Sequence, residues 1–383
     1  MVIERPFLPY CAPSVGEEEI AEVVDSIRSG FLSAGPKAKR FEEDFAAYIG
    51  VEFAIAVNSC TSALEIALAS LDIGPGDEVI VPTLTFCATA NVVEHRGATP
   101  VLIDVDWDLQ IDPNALGAAV SPKTRAIIPV HYGGQACNLD RILEIADARR
   151  IPVIQDAAHA AGAIIGGKKI GSEGLVTAFS FYPSKNMTTG EGGMLTTNDS
   201  SLANRCRQLR LHGISRVLPH INEVNGLWAY DVREPGYKAT LTDIQAAIGI
   251  QQLRKLDKFI ARRRQIATRY TDSFSDIAGI VLPGDLPRRP HTHHLYPLRI
   301  IRGEAAVNRD DLMNRLYELG IATSVHYIPL HRHPFYFNKY GHLHHDFPVA
   351  DRVAQELVSL PLYPAMSDAD IDRVIGALRD TLV

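Results

Sequence analysis

Lys185 is the residue whose type and neighbours most favour covalent chemistry. It comes shortly after an apolar strand in the segment FSFYPSKN and is followed by the glycine-rich segment TTGEGGM. A partly buried lysine has a lowered pKa, and its free amine can form a Schiff base with a carbonyl group. Gly190, Gly192 and Gly193 allow the backbone to pass close to a bound cofactor. Most lysines are nevertheless surface residues, so this spacing alone does not decide between the two interpretations.

Asp156 is a candidate partner for a positively charged group. It follows the apolar residues PVI in the segment IPVIQDAAHAAG. A carboxylate at such a strand end is costly to bury unless it is paired. The protonated pyridine nitrogen of pyridoxal phosphate (PLP) would be a fitting partner, with His159 stacking on the ring or hydrogen-bonding to it. Capping of the following AAHAAG segment by Asp156 explains the residue equally well.

The segment from Asn58 to Ala63, NSCTSA, could bind a phosphate. It lies between an apolar strand and a helix, where free backbone N–H groups and the positive end of the helix dipole attract anions. Plain N-capping by Thr61 or Ser62 needs no ligand, and on this segment alone it is the better explanation.

The elements that must position these groups alternate regularly. Short apolar strands at about 53–57, 78–81, 100–103, 125–130 and 151–155 are separated by helical patterns. This order predicts an α/β fold with a mostly parallel sheet covered on both faces, and strands at 176–181 and 193–197 could add antiparallel pairing. The three candidate segments then share one edge, beyond the carboxyl ends of the strands.

Length and pattern together predict two domains. The chain of 383 residues exceeds the usual size of a single core. A long helical pattern starts near Leu241, and a second strand–helix alternation follows it. We therefore expect a large cofactor-binding domain, with the N-terminal segment, over 1–250 and a small C-terminal α/β domain over 251–383.

Composition excludes some classes of protein. The formal net charge of −7 argues against a general nucleic-acid binder. No apolar stretch reaches the length of a membrane span, and the first residues lack the apolar core of a signal peptide, so we expect a cytoplasmic protein without a membrane partner. The five cysteines have no CxxC spacing and are expected to be reduced.

Several motifs together resemble the DegT/StrS family of aminotransferases, which act on nucleotide-linked sugars. They are SGFLSAGPKAKRFEEDF, AVNSCTSALEIAL, GPGDEVIVPTLTFCATAN, QDAAHAAGA, FSFYPSKN with EGGM, PGYKATLTDIQAAIG, VHYIPLHRHPFY and SLPLYP, in this order over nearly the whole chain. The resemblance implies a fold type I PLP enzyme whose large domain has a mostly parallel sheet of the seven-stranded type. It also implies a homodimer with active sites at the subunit interface.

The resemblance assigns roles to single residues. Lys185 would form the Schiff base with PLP and carry the proton, and Asp156 would pair with the pyridinium nitrogen. Phe86 would stack on the ring and His159 would lie near its oxygen. The phosphate would be held by Ser180 and by the backbone of Cys60 and Thr61.

One motif departs from the common family pattern. Where many members have an asparagine that reaches the partner subunit's cofactor phosphate, this chain has Lys238 in GYKAT. The GYK sequence resembles the subgroup that makes UDP-4-amino-4-deoxy-L-arabinose, although Ala239 and Thr240 depart from that pattern. This leaves the exact substrate and the contact between subunits open.

The implied reaction transfers the amino group of L-glutamate to a nucleotide-linked 4-keto sugar. A 3-keto sugar aminotransferase is the alternative within the fold. A PLP-dependent sugar dehydratase is disfavoured because such relatives replace the Schiff-base lysine with histidine. A non-catalytic regulator with this fold is disfavoured because Lys185 and Asp156 are both present.

The histidines concentrate near the C-terminal end, where nine of fourteen fall between His291 and His345. Runs such as HTHH and HLHHD lack a clean ligand arrangement, so we expect no metal. By its resemblance to the family, the VHYIPLH segment lines the substrate cleft, with His326, Tyr327 and His331 as the candidate substrate-binding residues.

Overall fold

The computed structural model describes residues 6–215 and 230–383. The helices are α1 (Glu17–Ser29), α2 (Pro36–Ile49), α3 (Cys60–Ser70), α4 (Ala88–His95), α5 (Pro113–Ala119), α6 (Leu139–Asp147), α7 (Ser200–Leu209), α8 (Asp243–Phe274), α9 (Arg309–Glu318), α10 (Pro334–Tyr340), α11 (Pro348–Glu356) and α12 (Asp368–Leu382). The strands are β1 (Phe53–Val57), β2 (Glu78–Pro82), β3 (Thr99–Ile103), β4 (Thr124–Ile127), β5 (Ile154–Asp156), β6 (Ile164–Ile165), β7 (Lys168–Lys169), β8 (Val176–Ser180), β9 (Gly193–Thr197), β10 (Ile214–Ser215), β11 (Asp231–Val232), β12 (Ile280–Val281), β13 (Tyr296–Ile300) and β14 (Leu357–Leu360). Three short 3-10 helices cover Tyr132–Gly134, Leu330–Arg332 and His344–Asp346.

The main sheet consists of two ladders joined edge to edge. One ladder has the order β1-β9-β8-β5 and the other β3-β2-β4. Parallel bridges between Ile127 and Val153 and between Val130 and Asp156 connect them, which gives seven strands in the order β1-β9-β8-β5-β4-β2-β3. Among the described strands of this sheet, β9 alone runs against its neighbours. The predicted mostly parallel sheet is therefore present, and β9 supplies its antiparallel pairing.

Side chains that alternate along each strand divide between two hydrophobic layers. On β1, Ile55 and Val57 pack with α3, α4 and α7, whereas Ala54 and Ala56 pack with α2, α6 and α8. Because both faces are buried, the strand is apolar throughout rather than alternating with polar residues. The carboxyl ends of β2, β4, β5 and β8 are left as the edge where irregular segments can form a site.

Helix α8 links the main sheet to the C-terminal part of the chain. Its Thr242 cap accepts a hydrogen bond from the Gln245 N–H at 3.2 Å, and its 32 residues run from the second hydrophobic layer into a third cluster. That cluster covers the antiparallel sheet β12-β13-β14 and includes Leu8 from the N-terminal segment. The proposed domain boundary at residue 250 lies within α8.

Two isoleucines of the N-terminal helix α1 face outward. Ile20 and Ile27 are 50% and 57% exposed, whereas Glu19 and Ser26 are buried against α8. The buried Glu19 is paired with Lys255 at 2.7 Å, which offsets the cost of its burial. No helix among the described residues is long and apolar enough to cross a membrane.

Candidate active site

A cavity of about 460 Å³ opens at the carboxyl edge of the main sheet. The segments after β1, β2, β4, β5 and β8 line it, together with the N-terminal segment and with segments next to β13 and β14 of the small C-terminal sheet. Its lining includes Tyr10, Cys11, Ser59, Cys60, Thr61, Thr85, Phe86, Asp156, His159, Ser180, Lys185, Glu191, His294, His326 and Tyr327. The three segments predicted to share this edge therefore meet in one cavity.

Lys185 lies in the turn that follows β8. Its backbone N–H donates to the Tyr182 carbonyl oxygen at 2.9 Å, which closes a tight turn directly after the strand. Burial lowers the pKa of the Lys185 amine to about 8, although the nearby Cys60 and Asp156 act in the opposite direction. A neutral amine is the form that attacks a carbonyl group.

Asp156 is the last residue of β5 and is 5% exposed. One carboxylate oxygen accepts from the Ala158 N–H at 3.0 Å, and the other accepts from the Thr89 hydroxyl at 2.8 Å. Burial raises the pKa of this carboxyl, and these two donors and Lys185 reduce the rise. Asp156 thus caps the following turn and also lines the cavity, so the two sequence interpretations are compatible.

His159 is fixed in one tautomer by its neighbours. Its Nδ1 accepts a hydrogen bond from the Gly133 N–H at 3.2 Å, so the proton of the neutral ring is on Nε2. Burial holds its pKa well below the usual value, which keeps the ring neutral. The Nε2–H can then donate to the Tyr327 hydroxyl, 2.9 Å away. This contact connects the main sheet to the segment that carries His326.

The start of α3 provides donors for an anion. Ser59, rather than Thr61 or Ser62, is the N-cap, and its hydroxyl oxygen accepts from the Ser62 N–H at 3.1 Å. The N–H groups of Cys60 and Thr61 belong to the first turn, where the helix offers no acceptor. Cys60 and Thr61 line the cavity together with Ser180.

Gly193 is required because its backbone passes close to the backbone at the start of α3. A Cβ on Gly193 would lie 2.5 Å from the Ser59 carbonyl carbon and 2.6 Å from the Cys60 nitrogen. Any larger residue would displace the start of α3. The glycine-rich segment thus packs against the possible anion site.

The remaining predicted residues divide into two groups. Phe86 lines the cavity and is 55% exposed, with its ring centroid 5.8 Å from that of Tyr327. His326 also lines it, and its Nδ1 lies 3.0 Å from the Ser359 hydroxyl. His331 does not line the cavity, because its two ring nitrogens contact Thr83 and Asp351.

Lys238 is exposed and lies outside the cavity of its own chain. It bridges Leu211 in a short antiparallel pairing, near the start of α8. A contact between Lys238 and a cofactor would therefore require a second copy of the chain.

Sequence reasoning missed several residues of the cavity wall. Tyr10, Cys11 and His294 reach it from segments far from the strand ends, and local patterns carry no signal for such contacts. Thr89 is different, because it lies in the recognised TLTFCATAN segment and could have been proposed as the partner of Asp156.

A model of the DegT/DnrJ/EryC1/StrS aminotransferase family matches residues 13–379. The chain belongs to this family. It is 49% identical over 376 residues to the spore coat polysaccharide biosynthesis protein SpsC of Bacillus subtilis, covering 98% of this chain and 97% of SpsC.

Solved structures agree with the family assignment. Spr1654 of Streptococcus pneumoniae in its PLP form has a TM-score of 0.90 and 33% identity, covering 98% of this chain and 100% of that one. The sugar aminotransferase CalS13 of Micromonospora echinospora has a TM-score of 0.88 and 30% identity, covering 97% and 99%. The predicted fold type I is confirmed, and the chain is a PLP-dependent aminotransferase.

The residues of the cavity fit PLP. A lysine amine with a lowered pKa, a buried carboxylate and the open start of a helix match the aldehyde, pyridinium and phosphate of the cofactor. They come from separate strand ends yet line a single cavity.

Proposed function

We propose that this aminotransferase moves the amino group of L-glutamate to a nucleotide-linked 4-keto sugar, which gives a 4-amino sugar nucleotide and 2-oxoglutarate. The observation that carries the proposal is the convergence of Lys185, Asp156 and the start of α3 in one cavity. A sugar substrate agrees with the names of SpsC, a polysaccharide biosynthesis protein, and of the sugar aminotransferase CalS13. The 4-keto position rests on the resemblance of the GYK motif alone.

PLP supplies an electron sink that stabilises negative charge at the carbon that exchanges the amino group. The protein must add and remove a proton at that carbon, and we assign this task to Lys185. With a pKa of about 8, about a quarter of the Lys185 amines are neutral at pH 7.5. A lysine with an ordinary pKa of 10.5 would be neutral in about one molecule per thousand.

Asp156 has the role of holding the pyridine nitrogen in its protonated form. The Thr89 hydroxyl and the Ala158 N–H stabilise the ionised carboxylate, against the effect of burial. A cation opposite Asp156 would remove the remaining penalty, because opposite charges in a buried site favour each other's ionisation.

His159, Phe86 and Tyr327 are assigned to orient the ring and the substrate. His159 is neutral, and its Nε2–H is available to the Tyr327 hydroxyl or to an oxygen of the ring. Phe86 offers an exposed aromatic face at the cavity mouth. His326 lines the cavity, and we assign it to substrate binding. His331 contacts Asp351 outside the cavity, so we assign it a role elsewhere.

We also propose a homodimer with active sites at the subunit interface. Ile20, Ile27, Phe31 and Leu32 are between 50% and 57% exposed, in and just after α1. A cluster of exposed large apolar residues is typical of a protein interface. A second copy could also bring Lys238 to the cofactor phosphate. The expected cytoplasmic location, and the likeness to enzymes forming UDP-4-amino-4-deoxy-L-arabinose, stay predictions.

The test is a substrate panel. The PLP-loaded enzyme is incubated with L-glutamate and, separately, with nucleotide-linked 4-keto and 3-keto sugars, and amino sugar and 2-oxoglutarate are quantified by mass spectrometry. We expect equal amounts of both products with a 4-keto sugar. Turnover of 3-keto sugars alone would move the proposal to the other ring position, and no turnover of any keto sugar would refute it.

A further inference from the structure

Three side chains that can ligate a metal meet outside the active-site cavity. His331 belongs to the 3-10 helix Leu330–Arg332, His344 to the 3-10 helix His344–Asp346, and Asp351 to α11. The two carboxylate oxygens of Asp351 lie 2.9 Å from His331 Nε2 and 3.0 Å from His344 Nδ1. All the ligand atoms lie within 4.8 Å of one another. Local sequence runs do not reveal this set, because its members come from three separate segments.

The fold holds His331 of this group in place. His331 is 1% exposed, and its Nδ1 lies 2.7 Å from the Thr83 hydroxyl. Without metal, Nε2–H donates to the Asp351 carboxylate and Nδ1 accepts from the Thr83 hydroxyl. Zinc at Nε2 would move the ring proton to Nδ1, which would then donate to the Thr83 oxygen. Metal-bound histidines usually have such a partner on the second ring nitrogen, because it fixes the tautomer and the orientation of the ring.

From this geometry we propose that His331 Nε2, His344 Nδ1 and Asp351 bind a zinc ion. Tetrahedral zinc with bonds of about 2.0 Å to nitrogen and oxygen holds neighbouring ligand atoms about 3.3 Å apart. The 3.0 Å between Asp351 Oδ2 and His344 Nδ1 needs only a small expansion to reach that value, and His331 Nε2 lies within 4.8 Å of both other ligand atoms. Two imidazoles and one carboxylate suit zinc better than Mg²⁺ or Ca²⁺, which prefer oxygen ligands.

The charge of Arg332 determines which carboxylate oxygen of Asp351 binds the zinc ion. Arg332 Nε lies 2.5 Å from Asp351 Oδ1, so that oxygen already has a cationic partner. Oδ2, which faces His344, is the zinc ligand, and Arg332 remains on Oδ1 as an outer partner of the carboxylate. The side chain of His344 is 75% exposed, which gives the ion an entry path and leaves a fourth position for water.

The bound ion would brace the segment that carries His326 and Tyr327. The N–H of Leu330 donates to the Thr83 carbonyl oxygen at 2.8 Å, next to the main sheet, and zinc at His331 would tie the same segment to α11 through Asp351. The ion lies outside the cavity, and its expected effect is on stability rather than on the chemical step.

The experiment uses untagged, PLP-loaded protein stripped of metal with a chelator. Zinc affinity is measured by competition with a coloured chelator, and Tm is measured with and without zinc. The variant His344→Gln removes one exposed ligand, and His345→Gln is the matched control, because His345 is 78% exposed and lies outside the cluster.

We expect one zinc ion per chain for the wild type and for His345→Gln, and affinity weaker by more than about 100-fold for His344→Gln. Zinc should raise the Tm of the first two proteins and leave that of His344→Gln unchanged. Three results would overturn the proposal: no saturable binding by the wild type, equal affinity in His344→Gln, or an equal loss in His345→Gln.

Discussion

Thr89 should control the affinity for PLP, although it does not line the cavity. The change to test is Thr89→Val, which keeps the shape of the side chain and removes the hydroxyl that donates to Asp156 at 2.8 Å. Both residues are buried, so water does not replace the lost donor. A hydrogen bond to a charged group is worth about 1.5–3 kcal/mol. Because PLP binding needs Asp156 ionised, the affinity should fall by roughly tenfold to 150-fold.

The assay is a titration of cofactor-free protein with PLP, followed by visible absorbance. Thr177→Val is the matched control, because the Thr177 hydroxyl is buried and has no hydrogen-bond partner among the described residues. We expect the control to bind PLP as the wild type does. Unchanged affinity in Thr89→Val, or an equal loss in Thr177→Val, would refute the reasoning about Asp156.

Three further predictions concern Lys185, the dimer and Lys238. The folded-state pKa of Lys185 is lowered from 10.5 to about 8, so the unfolded chain binds more protons between these values and stability should rise with pH there. Cofactor-free Lys185→Met should therefore be up to about 3 kcal/mol more stable than the wild type at pH 7, with the gain vanishing near pH 10.5 in urea unfolding. Ile27→Glu should produce monomers in analytical ultracentrifugation, whereas Tyr317→Glu, on the exposed surface of α9, should not; a dimer unaffected by Ile27→Glu would contradict the proposed interface. If Lys238 acts on the partner's cofactor, mixing inactive Lys185→Ala with weakened Lys238→Ala subunits should restore activity in hybrid dimers, and no gain on mixing would show that it does not.

Much of the fold could be predicted because strands and helices each have a recognisable pattern of apolar residues in the local sequence. Strands β1 and β9 have the predicted bounds, and Lys185 and Asp156, near the carboxyl ends of two parallel strands, line the same cavity. The orientation of α1 could not be predicted, since one apolar face fits a core and a subunit interface equally well. Its Ile20 and Ile27 are exposed in the single chain.

Residues joined by tertiary contacts were the hardest to predict. His331 and Tyr327 lie four residues apart, yet one contacts Asp351 and the other reaches His159 in the cavity. His331 lies within the 3-10 helix Leu330–Arg332, whereas Tyr327 precedes that helix. Nothing in the spacing of VHYIPLH shows that helix, and the same limit applies to His294 and Tyr10.

The most direct test of the central claim asks which lysine binds PLP. Treating the PLP-loaded enzyme with borohydride makes the bond between PLP and its lysine permanent, and mass spectrometry of the digested protein then locates the modification. We predict modification at Lys185 and none in the Lys185→Ala variant, with Lys123→Ala, a change at an exposed lysine, labelled as the wild type is. Labelling at another lysine, or none in the wild type, would contradict it.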